Sequence, residues 1–329
     1  MTLRIEVLKP GAQSQLQDLG RHGHQHLGVP VCGAMDEWSQ RLANLLVGND
    51  EQAATLEIVL TGPSLRFHGP AQIALCGADL SARLDGTPLP LHCRVDLPAG
   101  ALLEFGPRAS GLRVYLALRG GFAAPLVMGS RSTFVRGGFG GLEGRALRRG
   151  DVLTVAQPLP ALPPASTAAA PELTLPRPAL AGEDGSLLLR VIPGEHWALF
   201  TPAAQVLLSQ ARYRISPQSD RMGYRLEGPP LQRELGGELI SEGVAFGAIQ
   251  VPADGQPIVL MAERQSTGGY AKIAHVASVD LPLLAQAAPQ QWLRFAPIAL
   301  ETAQTLYLER EHRLAALRQQ LAPDTPFTP

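Results

Sequence analysis

The residues best suited to chemistry in this chain follow one another between positions 263 and 272. An apolar run, residues 257–262, is followed directly by an acid, a guanidinium, an amide, two hydroxyls, two glycines, an aromatic ring and an ammonium group: Glu263, Arg264, Gln265, Ser266, Thr267, Gly268, Gly269, Tyr270 and Lys272. Adjacent glycines let backbone N–H groups turn towards a ligand without a Cβ in the way, so this loop can hold a carboxylate or phosphate. The alternatives are a plain turn at the glycines and a solvated Glu263–Arg264 pair.

A predicted hairpin positions this polar loop. Two apolar runs rich in β-branched residues, 247–251 and 257–262, are joined by a turn containing Asp254-Gly255, which is a strong hairpin signal. Gln250 lies in the first run. Strict alternation along the strand that follows the glycines divides its residues between two faces, with Tyr270, Lys272 and Ala274 on one face and Ala271, Ile273 and His275 on the other.

A second candidate, Asp36, stands where a helix is predicted to begin. Apolar residues recur at helical spacing from Trp38 to Leu46, and Gly48-Asn49 supplies a stop. Asp36 is therefore first of all an N-cap, a role worth about 1 kcal/mol. A helix N-terminus reached through a glycine-containing loop is also a natural anion site, where an acid can serve as a base or ligand contact. Cys32 is either a nucleophile or, as we favour, a small buried thiol.

Residues 13–23 are polar, punctuated by glycine and short of core residues, which is typical of a loop that carries function. Gln17 lies in this segment. Three histidines at alternate positions follow, at His22, His24 and His26; they would share one face of an extended segment, as a metal site or as a polar strand face. No carboxylate or cysteine lies close enough in sequence to complete a metal site, so we predict none.

Two further polar segments add candidate binding groups. Ser130 and Arg131 follow a glycine in a concentrated group of donors, residues 128–133, which suits an oxyanion or a surface turn. Asp220 and Arg221 belong to a third polar segment, residues 216–228.

Composition bounds the class of protein. The 329 residues are 45% hydrophobic and 17% charged, which is enough for two cores. The net charge of −1 and the dispersed basic residues argue against nucleic acid or an anionic membrane surface as a partner. Three cysteines without a C-x-x-C pair, together with an N-terminus that lacks a signal-peptide pattern and no apolar run of membrane length, predict a cytoplasmic protein.

The pattern of apolar runs predicts a mainly β fold. With 34 Gly and 29 Pro, the chain reads as many short strands separated by turns, regularly spaced between residues 55 and 155 as in a barrel or sandwich. The Pro/Ala-rich residues 157–185 are typical of a linker. The final residues, 299–329, have an amphipathic pattern that predicts a helix. We therefore predict an N-terminal β lobe (1–156), a linker (157–185), a C-terminal lobe (186–298) and a helical tail (299–329).

Several segments together resemble one family. They are QDLGR at 17–21, GVPVCGAMD at 28–36, LVGN at 46–49, GSRST at 129–133, SDRMGYRLEG at 219–228, and the stretch 241–274. In this order they resemble the KipA-like family, also called allophanate hydrolase subunit 2 or biotin-dependent carboxyltransferase-like. The resemblance implies an α+β, mainly β protein with two cyclophilin-like β-barrel lobes, a few short helices and a C-terminal helix.

The resemblance implies three functions. Free-standing chains of this length look most like one component of ATP-dependent 5-oxoprolinase, which uses ATP with Mg²⁺ to open 5-oxoproline to L-glutamate. Its partners would be a KipI-like (PxpB-type) subunit and a LamB/YcsF-like (PxpA-type) decyclising subunit. The alternatives are a biotin-dependent carboxyltransferase of the urea carboxylase or allophanate type, with biotin as cofactor, and a non-catalytic regulator of a KipI-like kinase inhibitor.

Under the 5-oxoprolinase hypothesis the polar segments acquire roles. Asp36, Lys272 and Asp220 are the catalytic candidates, with Asp36 or Asp220 holding Mg²⁺ or accepting a proton. Gln250 orients the ring amide. Substrate or phosphate is bound by residues from both halves of the chain: Arg264, Gln250, Arg221, Arg131, Ser130, Gly268, Gly269, Tyr270 and Gln17. These roles require that the segments meet in one cleft, with Asp36 and Lys272 facing it.

Overall fold

The computed structural model describes residues 3–163, 184–234 and 239–321. The chain divides into two compact units, unit 1 (residues 1–21, 32–176 and 311–329) and unit 2 (residues 22–31 and 177–310). Of the linker predicted over residues 157–185, only 157–163, 184 and 185 lie within the described residues, as does the predicted tail up to Leu321.

Unit 1 contains two antiparallel sheets among its described residues. One sheet has the strand order β11-β1-β4-β9-β6-β7 and the other β2-β3-β10-β5-β8. The elements are β1 (Arg4–Lys9), β2 (Gln13–Gln17), α1 (Glu37–Leu46), β3 (Thr55–Val59), β4 (Ser64–Phe67), β5 (Ala71–Asp79), β6 (Arg83–Leu84), β7 (Thr87–Pro88), β8 (Arg94–Leu97), β9 (Leu102–Glu104), β10 (Ser110–Leu118) and β11 (Val152–Thr154).

Alternation along the strands explains how unit 1 is packed. Leu75 and Leu116 belong to the apolar core that the strands of both sheets share. The intervening residues Cys76 and Tyr115 turn to the opposite face of the second sheet and pack in a cluster with apolar residues of α1. The second sheet is therefore buried on both faces.

Strand β2 corrects the expectation of a loop over residues 13–23. Gln13–Gln17 pairs along its whole length with β3, and Gln15 and Gln17 are fully buried. Polar side chains concealed this strand, because a sequence pattern equates burial with apolar residues. The histidines that follow are not in an extended segment either, since Gln25–Leu27 is a 3₁₀ helix.

Unit 2 is organised around a closed barrel. Among its described residues the strands run in the order β12-β19-β16-β17-β14-β13-β20, and parallel pairing of β12 with β20 closes the ring. The elements are β12 (Leu187–Pro193), α2 (Pro202–Gln210), β13 (Tyr213–Ile215), β14 (Gly223–Glu227), β15 (Glu242–Gly243), β16 (Ala248–Val251), β17 (Ile258–Leu260), β18 (Thr267–Gly268), β19 (Ala271–Val276), α3 (Leu281–Ala285) and β20 (Trp292–Pro297). Strands β15 and β18 form a separate two-stranded ribbon.

The prediction of a mainly β fold with few helices is confirmed. The predicted hairpin is present as β16 and β17, and the final helix as α4 (Leu300–Leu321), of which residues 311–321 are assigned to unit 1. Leu314 and Leu317 of α4 are buried in clusters with residues of α1. No helix within the described ranges combines the length and apolar character needed to cross a membrane.

Candidate functional site

Lys272 is the centre of a charged cluster in unit 2. Its side chain is only 3% exposed, and Nζ lies 3.0 Å from Glu242 Oε1 and 3.6 Å from Glu195 Oε1. Nζ also donates a hydrogen bond to the carbonyl oxygen of Gly243 at 3.2 Å. The ammonium group of Lys272 is thus held by one carbonyl oxygen and by the charges of two carboxylates.

Two histidines complete the cluster. His275 Nε2 lies 2.8 Å from Glu195 Oε2, and His196 Nε2 lies 3.3 Å from Glu242 Oε1. His196 Nδ1 accepts a hydrogen bond from the backbone N–H of Lys272 at 3.1 Å. A neutral His196 therefore carries its proton on Nε2, and this N–H group points a hydrogen bond towards Glu242. We call Glu195, His196, Glu242, Lys272 and His275 the lysine cluster.

The turn after β12 fixes half of the lysine cluster against the backbone of β19. Gly194 N–H donates to Ile273 O at 2.8 Å, and His196 N–H donates to Lys272 O at 3.2 Å. A Cβ at position 194 would lie 2.6 Å from Lys272 O, closer than real Cβ atoms approach backbone. Glycine at this position is what allows Glu195 and His196 to reach Lys272.

A register shift in β19 corrects the expected division of its faces. Against β16, Ile249 pairs with Ala274 but Gln250 pairs with Lys272, so β19 contains one extra residue at this point. Such a bulge breaks strict alternation. Lys272 and His275, expected on opposite faces, consequently approach the two oxygens of the single Glu195 carboxylate.

The surroundings keep Glu195 ionised. Burial by itself raises the pKa of the Glu195 carboxyl, but the hydrogen bond from His275 and the charges of His275 and Lys272 outweigh it. The net result lowers its pKa from 4.5 to about 2. At neutral pH the lysine cluster therefore always contains at least one carboxylate next to Lys272.

The polar loop predicted from sequence lies beside the lysine cluster. Gln250 is the strand partner of Lys272, and its Nε2 donates to Tyr270 O at 3.5 Å. Gly268 pairs with Glu242 across the β15–β18 ribbon, and a Cβ on Gly268 would lie 2.7 Å from Gln250 Nε2. Gly269 is equally confined, because a Cβ there would lie 2.9 Å from Leu239 O. A backbone oxygen thus excludes a side chain at Gly269, whereas at Gly268 the obstacle is the amide of Gln250.

The two guanidinium groups predicted in unit 2, those of Arg221 and Arg264, bind protein atoms. Arg221 Nε lies 2.5 Å from Glu263 Oε1 in a pair whose side chains are each 6% exposed. Arg264 Nε donates to Val244 O at 3.1 Å, and its guanidinium carbon lies 5.7 Å from the Phe246 ring centre. Because Val244 follows the Glu242–Gly243 strand, Arg264 supports the ribbon that carries Glu242.

Asp220 organises a turn. Its Oδ1 accepts hydrogen bonds from the N–H groups of Met222 at 2.8 Å and Gly223 at 3.3 Å. This is an ordinary turn role for an aspartate.

In unit 1 the predicted oxyanion donors bind the carboxylate of Asp18. Ser130 Oγ donates to Asp18 Oδ1 at 2.6 Å, and Gly20 N–H donates to the same oxygen at 2.8 Å. The N–H of Arg131 and the hydroxyl of Ser132 donate to this carboxylate as well. We call these five residues the Asp18 cluster. Gln17 lies beside it, donating from Nε2 to Thr133 O at 3.1 Å.

Asp36 caps α1, as its sequence position predicts. Its carboxylate, 0% exposed, accepts from Ser39 N–H at 2.9 Å and from Ser39 Oγ at 2.7 Å. Its own N–H donates to the Tyr115 hydroxyl at 2.8 Å, and that hydroxyl donates to Glu57 Oε2 at 2.6 Å. Burial, together with the charges of Glu57 and Asp36, raises the pKa of Tyr115, so the hydroxyl stays protonated. Asp36 and Lys272 belong to different units.

Two cavities of the described residues lie away from the predicted site residues. One cavity of about 390 Å³ in unit 2 is lined by residues of α4 and by Ile192 and Ser278. Another of about 470 Å³ in unit 1 lies along β5 and β8 and the segment from Pro158 to Leu162. Neither contains a predicted site residue, and within the described residues no three His, Cys, Asp or Glu side chains gather as metal ligands would.

Sequence reasoning missed Glu195, His196 and Glu242. Their partner Lys272 lies 76 residues from His196 and 29 from Gly243, so no local spacing connects them. The available signal was a Gly-Glu-His sequence directly after the strand that ends at Pro193, since polar residues at a strand end often serve a site.

The lysine cluster thus lies at strand β19 of the closed seven-stranded barrel of unit 2. The family model described as carboxyltransferase domain, subdomain A and B, matches residues 27–297. The chain therefore belongs to this family, and the resemblance inferred from its motifs is confirmed.

The individual relatives fall into two groups. The chain is 39% identical to a 5-oxoprolinase component of Escherichia coli over 299 residues, covering 91% of this chain and 93% of that protein. It is 34% identical to urea amidolyase of Saccharomyces cerevisiae, covering 92% of this chain but 17% of that protein. The solved urea carboxylase of Kluyveromyces lactis superposes with a TM-score of 0.88 at 33% identity, covering 95% of this chain and 29% of that one.

Proposed function

We propose that this chain is one component of an ATP-dependent 5-oxoprolinase, which opens 5-oxoproline to L-glutamate. The observation that carries the proposal is the end-to-end similarity to the 5-oxoprolinase component of E. coli, which covers 91% of this chain and 93% of that protein. The urea amidolyases, by contrast, are much longer than the part that this chain matches, with 17% of the yeast protein covered.

The chemistry of the substrate suits the lysine cluster. 5-Oxoproline carries one carboxylate and a lactam that amide resonance protects from water. Phosphorylation of the lactam oxygen by ATP, with ADP leaving, makes the ring carbon electrophilic. One water adds and the C–N bond breaks, the ring nitrogen taking up a proton; a second water hydrolyses the resulting acyl phosphate to glutamate and phosphate. Lys272, His196 and Gln250 would supply the donors that hold and orient the ring.

ATP and Mg²⁺ enter this proposal as components of the whole complex. The expected partners are a KipI-like (PxpB-type) subunit and a LamB/YcsF-like (PxpA-type) subunit, and we assign this chain to substrate binding and activation within that assembly.

The test is reconstitution. The chain would be purified with its two expected partners, and glutamate release from 5-oxoproline would be measured with and without ATP. We expect turnover that requires ATP and all three proteins. The absence of turnover with every combination would overturn the proposal and favour a non-catalytic regulator of a KipI-like protein.

A second function, biotin-dependent carboxyl transfer, is favoured by the family model and by the urea carboxylase fold match. It predicts avidin-sensitive incorporation of labelled bicarbonate when a biotinylated carrier and a biotin carboxylase are added. The same preparations would be assayed for both reactions, so the two functions are separated by which product appears.

A further inference from the structure

Glu242 occupies a position that a bound acid could take. Two donors converge on one of its oxygens: Oε1 lies 3.0 Å from Lys272 Nζ and 3.3 Å from His196 Nε2. An ammonium and an imidazole N–H meeting at one carboxylate oxygen is the arrangement by which proteins bind carboxylate ligands. Here the carboxylate belongs to the protein.

Exposure distinguishes Glu242 from the groups that bind it. The side chain of Glu242 is 46% exposed, whereas that of Lys272 is 3% exposed and that of His196 is 19% exposed. The donors are thus fixed and buried while their acceptor is open to solvent. Because the carboxylate of Glu242 stays in contact with water, a competing acid can displace it more easily than it could a buried carboxylate.

The backbone fixes the donors more firmly than the acceptor. The backbone of Lys272 exchanges two hydrogen bonds with His196, and Lys272 lies in a closed barrel. Glu242 lies in β15, a strand of two residues paired only with the two-residue β18. A change of the Glu242 rotamer would leave the barrel hydrogen bonds intact.

Exchange of Glu242 for an acidic ligand would also leave the charge next to Lys272 unchanged. Lys272 keeps Glu195 at 3.6 Å in either state, and Glu195 is anchored by His275. If the carboxylate of a ligand replaces that of Glu242, the charge next to Lys272 and His196 stays the same. Both donors also keep an acceptor. The ligand carboxylate loses hydration when it binds next to the buried ammonium, and the Glu242 carboxylate regains hydration when it leaves. The two changes offset each other.

We propose that Lys272 and His196 form a subsite for the carboxylate of a small acid, and that Glu242 occupies this subsite until the acid displaces it. The inference rests on the proposed function in naming 5-oxoproline as that acid. A neutral substrate such as urea has no carboxylate to place there. The displaced Glu242 would turn to solvent, where its charge is fully hydrated.

The experiment compares Glu242→Gln and Glu242→Ala with wild type by calorimetric titration of the purified full chain with 5-oxoproline and with 2-pyrrolidinone, the lactam that lacks the carboxylate. An intramolecular competitor reduces the apparent affinity to the fraction of subsites that it leaves open, so removing its charge should tighten 5-oxoproline binding on the order of tenfold. The affinity for 2-pyrrolidinone should not change. Glu227→Gln is the matched control, because Glu227 is a similarly exposed glutamate of unit 2 paired with Arg214.

The outcomes separate this inference from the proposed function. Unchanged affinity for 5-oxoproline in both Glu242 variants, or equal tightening for 2-pyrrolidinone, would overturn the subsite. If the Glu242 variants bind inorganic phosphate more tightly but not 5-oxoproline, the assignment of the subsite to a carboxylate would be overturned. If the variants tighten 5-oxoproline binding but the reconstituted complex releases no glutamate, the subsite stands and the 5-oxoprolinase proposal falls. Lys272→Met should abolish the effect of Glu242→Gln in a double variant.

Discussion

The Asp18 cluster and the lysine cluster solve the same chemical problem in different ways. Each binds a carboxylate of the protein, and each includes a donor that the sequence assigned to an external ligand, Ser130 in the first and Lys272 in the second. Asp18 is 6% exposed and receives four hydrogen bonds, two of them from backbone N–H groups. The Glu242 side chain is 46% exposed and receives two contacts, both from side chains. Burial and fixed donors make the first carboxylate structural, whereas the second is free to exchange.

The largest expected effect follows from removing the buried carboxylate. Asp18→Ala leaves four donors without their acceptor, so we expect a loss of about 3–5 kcal/mol in the free energy of unfolding. Asp18→Asn keeps one acceptor oxygen and should lose less. Chemical denaturation measures both, with Glu242→Ala as the exposed counterpart, expected to change stability by less than about 1 kcal/mol. Equal losses at the two positions would erase the distinction drawn between the clusters.

Lys272→Met should separate function from stability in the lysine cluster. Methionine keeps the apolar stem but leaves Glu195 and Glu242 without their shared cation, so we expect kcat/KM for 5-oxoproline in the reconstituted complex to fall about 100-fold. The matched control is Lys9→Met, since Lys9 is the chain's other lysine and is exposed at the end of β1. A Lys272→Met complex with normal kcat/KM would remove the lysine cluster from the site.

Substitutions of Asp36 distinguish a helix cap from a catalytic base. Asp36→Ala should reduce the free energy of unfolding by about 1 kcal/mol, whereas serine, itself a good N-cap, should restore most of it. Because both Asp36 oxygens are occupied by Ser39 and the residue is fully buried, we expect Asp36→Ser to keep normal turnover. Lost turnover in a stable Asp36→Ser protein would instead identify Asp36 as a base or ligand contact.

The smallest effect concerns Glu195 and acid. Its folded pKa of about 2 lies below the ordinary value of 4.5, so its contribution to stability is present above pH 4.5 and disappears as pH falls towards 2. The melting temperature of wild type should exceed that of Glu195→Gln slightly at pH 6, and the gap should close over this window. The contribution is modest because the side chain is 55% exposed. A gap independent of pH would show that packing, not ionisation, is the cause.

Local signals in the sequence were sufficient for many of the elements and singled out Lys272 as a candidate. The helix that Asp36 caps, the Asp-Gly hairpin and the apolar strands are each indicated within a few residues, and all are present. Lys272 stood out because polar groups follow an apolar strand without a break. These features depend on neighbours in the chain, which is where propensity and periodicity act.

The partners of the polar groups could not be predicted in this way. Ser130 looked like a donor for an external anion because its acceptor, Asp18, lies 112 residues away. Glu195 and Glu242 were overlooked because isolated surface glutamates are ordinary, and only the pairing of β12 with β19 and of β15 with β18 brings them to Lys272. Strand β2 was hidden for a related reason, since its glutamines are buried. Tertiary pairing decides whether a polar residue is a ligand contact or part of the scaffold.

The extra residue in β19 has a consequence for engineering. Because that single-residue irregularity brings the ammonium of Lys272 and the imidazole of His275 to one carboxylate, grafting these two side chains onto a regular strand would place them on opposite faces. An engineered copy of the site would need the same β-bulge in its strand. Deleting one residue from this strand should likewise dismantle the cluster while leaving every one of its side chains in the sequence.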